Sequence, residues 1–120
     1  MSTIIFDLAA TPDLINASNG EQEITISWTA SMTAPVPGDN PVYIELNLDP
    51  GSEVDFISSN NQRVKTVAWQ QNFQTGVNNY QEILVVVCEQ KLQPQHAGLR
   101  MDIRDSAGYL SHDTAYLIYQ

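Results

Sequence analysis

The most constraining feature of the sequence is a two-residue alternation that occurs twice. In Glu23–Ala30, Ile24, Ile26 and Trp28 alternate with Thr25, Ser27 and Thr29. In Val42–Leu48, Val42, Ile44, Leu46 and Leu48 alternate with Tyr43, Glu45 and Asn47. Side chains along a strand point to opposite faces in turn, so this period writes a strand with one dry face and one polar face. A dry sheet face has to be covered by a second layer. The expected shared interior therefore contains Ile24, Ile26, Trp28, Ile44 and Leu46.

The remaining sequence consists of short strand-like runs broken by Gly, Pro, Asn, Asp and Ser. Expected strands cover Thr3–Leu8, Glu53–Ile57, Arg63–Trp69, Glu82–Glu89, Leu99–Arg104 and Thr114–Tyr119. Asp49-Pro50-Gly51 and Asp105-Ser106-Ala107-Gly108 read as turns. The proline-rich segment from Ala34 to Pro41 is expected to be irregular. No stretch carries a convincing amphipathic helix, and the connections are too short to hold a crossover helix, so antiparallel pairing is expected. The prediction is an all-β fold: an antiparallel two-sheet β-sandwich of about seven to eight strands in a single domain over residues 1–120.

Two segments extend this to a family resemblance. Asp13-Leu14 followed by Glu23-Ile24-Thr25-Ile26-Ser27-Trp28 resembles the approach to the second strand of bacterial immunoglobulin-like modules found in cell-surface and adhesion-type proteins. Gln95-His96-Ala97-Gly98-Leu99-Arg100-Met101 is similar to the approach to their sixth strand. The likeness spans most of the chain and implies an immunoglobulin-like sandwich. The sequence departs from antibody-type members: Leu99 and Met101 stand where a corner tyrosine and a cysteine would be. Ile24 or Ile26 replaces the partner cysteine. The third-strand tryptophan is absent, with Tyr43 expected to fill similar space. Such folds host many unrelated roles.

Charge narrows the partners. Fourteen acidic residues outnumber five basic ones, for a net charge of −9. Arg63, Lys65, Lys91, Arg100 and Arg104 are too few and too scattered to track a phosphate backbone, so neither nucleic acid nor an anionic membrane is expected as a partner. The same charge would steer a basic protein surface, or simply keep the chain in solution. Cys88 is the lone cysteine, so no intramolecular disulfide can form. The opening residues lack a basic n-region and a long apolar stretch, and no run reaches the roughly twenty apolar residues of a spanning helix. The expectation is a cytoplasmic protein as synthesised, with signal-independent export left open. Asn16-Ala17-Ser18 matches a glycosylation sequon and is read as chance.

No assembled catalytic, cofactor or metal site is expected, and the chain is read as a non-enzyme. A Cys88 nucleophile would need His96 or His112 as its base, yet it sits in an apolar strand where burial makes a thiol inert. Two histidines and one cysteine do not make a zinc site. Asp102, Asp105 and Asp113 flank one hairpin, and Asp39, Asp49 and Asp55 lie near loops. They could bind calcium, although Asp is also a common turn former, and the turn reading is preferred.

Two features carry functional hypotheses. Ile83-Leu84-Val85-Val86-Val87-Cys88 does not alternate, so one of its two sets needs cover beyond an ordinary core. Leu84, Val86 and Cys88 are the candidate interface, against the alternatives of a covering loop or a central position between layers. Trp69-Gln-Gln-Asn-Phe73-Gln-Thr-Gly-Val-Asn-Asn-Tyr80 sets rings beside amides, and Trp69, Phe73 and Tyr80 are candidate carbohydrate or peptide contacts. The competing reading is a loop pinned to the core by its aromatics. The leading expectation is a protein-binding or structural module, self-associating or part of an assembly. A lectin-like module and an acidic inhibitor of a basic protein are the alternatives.

Overall fold

A computed structural model of the chain describes residues 3–33 and 40–120. The expected irregular segment from Ala34 to Pro41 lies outside the described residues except for its last two positions. The described chain is a two-sheet all-β sandwich with a single short 3-10 turn, Ala17–Asn19.

The strands are β1 (Thr3–Thr11), β2 (Leu14–Ile15), β3 (Gln22–Met32), β4 (Val42–Leu48), β5 (Val54–Ile57), β6 (Arg63–Val64), β7 (Thr66–Gln71), β8 (Gly76–Cys88), β9 (Gln95–Asp105) and β10 (Gly108–Tyr119). The first sheet runs β1-β3-β8-β5-β6, and the second runs β2-β10-β9-β4-β7. This is more strands than the seven or eight expected. Two of the additional ones, β2 and β6, are only two residues long. The predicted run Arg63–Trp69 divides at Lys65, where the chain leaves one sheet for the other. Lys65 fastens that crossing: its ammonium donates to the carbonyls of Ser52 (2.8 Å) and Val54 and pairs with Asp55 at 3.0 Å.

The alternation read from the sequence is obeyed. Ile24, Ile26, Trp28, Val42, Ile44, Leu46 and Leu48 are all buried in one core with Val54, Phe56, Leu99, Met101 and Ile103. Burying an aliphatic side chain of this size contributes about 1.5–3 kcal/mol, so the two alternating strands anchor the sandwich. Tyr43 does not occupy the core place expected of it. It faces outward between Gln70 and Arg104, and Ile44 takes the inner position.

Pairing is antiparallel throughout, as expected, except that β2 lies parallel to the end of β10, with Leu14 beside Ile118 and Ile15 beside Tyr119. The β9–β10 turn is built by Asp105, whose Oδ1 accepts from the amides of Ala107 (2.8 Å) and Gly108 (3.1 Å). Gly108 has φ of 137°, a conformation that side chains resist, which explains a glycine here. Among the described residues, no helix is long and apolar enough to cross a membrane.

Candidate functional site

The aromatic stretch folds inward. Phe73 is only 3% exposed. Its backbone is held by Asn40, whose Nδ2 donates to the Phe73 carbonyl (3.1 Å) and whose Oδ1 accepts from the Phe73 amide (3.0 Å). The Phe73 ring stacks on Tyr80 at 4.7 Å, Tyr80 on Trp28 at 6.0 Å, and Trp28 meets Trp69 at 6.2 Å. The Tyr80 hydroxyl accepts from the Gln74 amide at 2.8 Å. The structure thus brings Trp69, Phe73 and Tyr80 together as a cluster around Trp28. The expectation that all three offer faces to a ligand is corrected: Phe73 is a core residue that ties the β7–β8 connection down.

The candidate interface is also corrected. Leu84 lies opposite Ile24, Phe56 opposite Val86, and Val54 opposite Cys88, so Leu84, Val86 and Cys88 form the inward set. The outward set is Ile83, Val85 and Val87, of which Ile83 is 58% exposed, Val85 is half-buried and Val87 is buried. Cys88 is buried, which pushes its thiol above its ordinary value of 9.0. A backbone hydrogen bond at Gln120 pulls the other way, and the nearby Glu89 charge adds to the rise. The candidate bases are engaged elsewhere: His112 Nδ1 lies 2.6 Å from the Tyr109 hydroxyl, and the His96 ring packs against Tyr116.

The carboxylates considered for calcium each have a local task. Asp102 is held by Arg100 at 3.0–3.1 Å, Asp105 builds its turn, and Asp113 Oδ2 accepts from the Leu8 amide at 2.9 Å. Asp49 Oδ1 accepts from the Gly51 amide, and Asp55 pairs with Lys65. Asp39 lies outside the described residues. Among the described residues, no group of three or more His, Cys, Asp or Glu is placed to hold a metal ion.

Among the described residues, two surfaces are the strongest candidates to meet a partner. The first is a flank of the sandwich. β5 pairs with β8 only at Val86–Cys88. From Gly76 to Val85, β8 therefore has β3 on one side and, among the described residues, no strand on the other. In the second sheet β7 is the last described strand at the end away from β2. Between these two edges Val67, Trp69, Tyr80 and Leu84 are only partly buried against the core. Neither edge carries Pro or Lys, or a bulge, the usual protections against strand addition.

The second surface is a groove on the outer face of the second sheet, which is curled. Its volume is about 330 Å³, and it is lined by Tyr43, Glu45, Gln70, Asp102, Arg104 and Tyr109, among others. Arg104 lies over the Tyr43 ring, 5.7 Å from its centroid. The residues come from β4, β7, β9 and β10, and no local motif joins them. The outward half of the Val42–Leu48 alternation, Tyr43 and Glu45, was the available signal.

No protein-family model matches the chain, and no curated protein matches it. Solved structures do. One is the Pseudomonas fluorescens alkylpurine DNA glycosylase AlkC bound to DNA containing an abasic site analog, 15% identical with a TM-score of 0.53, covering 99% of this chain and 30% of that one. Spo0M, a sporulation control protein from Bacillus subtilis, is 8% identical with a TM-score of 0.47, covering 100% of this chain and 50% of that one. A superoxide reductase (neelaredoxin) from Ignicoccus hospitalis is 14% identical with a TM-score of 0.42, covering 100% of this chain and 81% of that one. At 15% identity the likeness to the glycosylase concerns the fold alone. The chain spans about a third of the glycosylase and half of Spo0M.

Proposed function

We propose that the sandwich is immunoglobulin-like and that the chain acts as a non-enzymatic protein-binding or structural module through its open flank. The strand order supports the first part: β1-β3-β8 in one layer faces β10-β9-β4-β7 in the other, as strands A-B-E face G-F-C-C′ in variable-type domains. The observation that carries the second part is the pair of unprotected edges, β7 and Gly76–Val85 of β8. An edge strand offers a row of backbone donors and acceptors that another chain can extend. Nucleic acid does not fit this reading. Arg63, Lys65, Lys91 and Arg100 are each paired with a carboxylate, and Arg104 lies over Tyr43, which leaves the surface acidic.

A photo-crosslinking residue placed at Ala68 or Val77, with Leu14 on the far edge as control, tests the reading in cells that make the protein. Crosslinks to protein from the flank positions and none from the control are expected. No crosslink from either flank position overturns the assignment.

A second reading rests on the groove. Tyr43 and Tyr109 supply ring faces, and Glu45, Gln70, Asp102 and Arg104 supply hydrogen-bonding groups. This is the chemistry that holds a hydroxyl-rich ligand such as a carbohydrate. The carbohydrate hypothesis thus moves from the Trp69–Tyr80 stretch to this face. A glycan array with the wild type and Tyr109→Ala separates the possibilities: binding lost in the variant supports the groove, and an array with no binder removes it.

A further inference from the structure

The edge of β8 that no described strand covers is self-complementary. Residues alternate between faces, and the β3 pairing fixes which is which: Tyr80 lies opposite Trp28 and Leu84 opposite Ile24, so even positions face the core side. The odd positions Val77, Asn79, Gln81 and Ile83 face outward, and all are exposed. Val77 (67% exposed) and Ile83 (58% exposed) are two of the larger apolar side chains left on the surface. They stand symmetrically about Tyr80, three residues to either side. Asn79 and Gln81 stand one residue to either side, Asn78 and Glu82 two.

We infer that this edge pairs with the same edge of a second copy, antiparallel about a two-fold axis through Tyr80. This names the partner for the open flank and rests on the protein-binding reading above. In this register Val77 of each chain meets Ile83 of the other, Asn79 meets Gln81, and Asn78 meets Glu82. Directly opposed apolar pairs and opposed amides are the cross-strand contacts that stabilise a ladder. A two-fold contact uses the same patch on both copies and closes on itself, giving a dimer rather than a fibre.

Three observations select this register and this occupant. First, moving the axis to Gln81 sets Asn79 against Ile83, and moving it to Asn79 sets Val77 against Gln81. Each shift sets an apolar side chain against an amide. Second, pairing over residues 76–84 fills the free stretch of β8 and ends before Val86–Cys88, where β5 already holds the edge. Third, the chain carries a net charge of −9, yet residues 76–84 contain one carboxylate, Glu82, and no cation. Two acidic chains meet with little repulsion along this strand.

The other sheet edges do not offer the same contact. β1 is bulged between Phe6 and Ala9, with Asp7 at φ 57°. β2 and β6 are two residues long. The β7 edge is open but offers no outward apolar pair: Val67 and Trp69 lie opposite Leu46 and Ile44 on the core side, and the outward residues are Thr66, Ala68 and Gln70.

The test is the mass of the full chain by sedimentation and light scattering, with charge variants at the two apolar positions. Wild type is expected at twice the 13.3 kDa chain mass. Val77→Lys and Ile83→Glu, each a change at an exposed side chain, are each expected to weaken the dimer at least about tenfold, because a charge would face an apolar side chain twice per seam. The double variant Val77→Lys/Ile83→Glu sets opposite charges face to face and is expected to restore dimerisation to within about threefold. Circular dichroism checks that every variant keeps its sheet content. A monomer at millimolar concentration, or a dimer that the single variants leave intact, overturns the proposal. So does a double variant as weak as the singles. If the chain is monomeric but its flank crosslinks to a different protein, this dimer fails and the flank reading stands. If no flank position crosslinks, both fail.

Discussion

The two long sides of this sandwich are closed in different ways, although both are made of ordinary strands. On one side β1 of the first sheet reaches across to β10 of the second. Its Ile5 amide donates to Ser111 Oγ at 3.3 Å and its Leu8 amide to Asp113 Oδ2 at 2.9 Å. Nearby, β2 joins the end of β10, and the Ala17 amide donates to the Gln120 carbonyl at 2.9 Å. On the other side nothing comparable links β7 to β8 among the described residues. Aromatic side chains fill the gap there, and they stay partly exposed. Side-chain bonds to backbone amides blunt the β1 edge on one side, whereas the side filled by rings leaves two edges without such bonds. The difference teaches that burial and edge protection are separate problems, and this chain solves both on one side only.

The largest test of that contrast is a pair of truncations. Ile5→Ala, on the closed side, is expected to cost about 2–4 kcal/mol in urea denaturation, while Leu84→Ala, half-buried on the open side, is expected to cost about half as much. Equal costs would mean that the open flank is as dry as the closed one. Next, Asp113→Ala leaves the Leu8 amide without its acceptor and is expected to cost about 1–3 kcal/mol, again by urea melts. A change within error would show that the stitch is replaced by water.

A smaller effect is expected at the β7 edge. Ala68→Lys adds a charge to an exposed edge position and should change stability by no more than about 0.5 kcal/mol. A large destabilisation would show that the edge is occupied within the chain. The smallest effect concerns Cys88. Its thiol is held above 9.0 in the folded state by burial. The folded chain therefore keeps its proton where the unfolded chain has lost it. The stability this represents is complete below pH 9.0 and is lost as pH climbs through the folded value. Melts at pH 8 and pH 10 should show a larger alkaline loss for wild type than for Cys88→Ala, and identical slopes would contradict the burial assignment.

How far the sequence reached depends on which side chains carried contrast. In β3 and β4 apolar and polar residues alternate cleanly, and both strands were legible with their faces. In Ile83–Cys88 both sets are apolar, so the pattern held no information about which set turns inward. Pairing with Val54 and Phe56 of β5 made that choice, and it fell on Leu84, Val86 and Cys88. The first half of β8 was missed because Gly76–Gln81 is amide-rich and poor in strand formers. Its register opposite Ser27–Met32 makes it a strand. The groove was illegible for another reason, since its walls come from four strands far apart in sequence.

The sequence alone determined the period of its strands, the turn chemistry at Asp49–Gly51 and Asp105–Gly108, the acidic surface and the absence of a disulfide, because each depends on near neighbours or on composition. The long-range packing set which apolar set turns inward, where the chain changes sheets, and which edges no described strand covers. Those are relations between segments tens of residues apart, and a two-residue period repeats identically whichever strand comes to lie beside it.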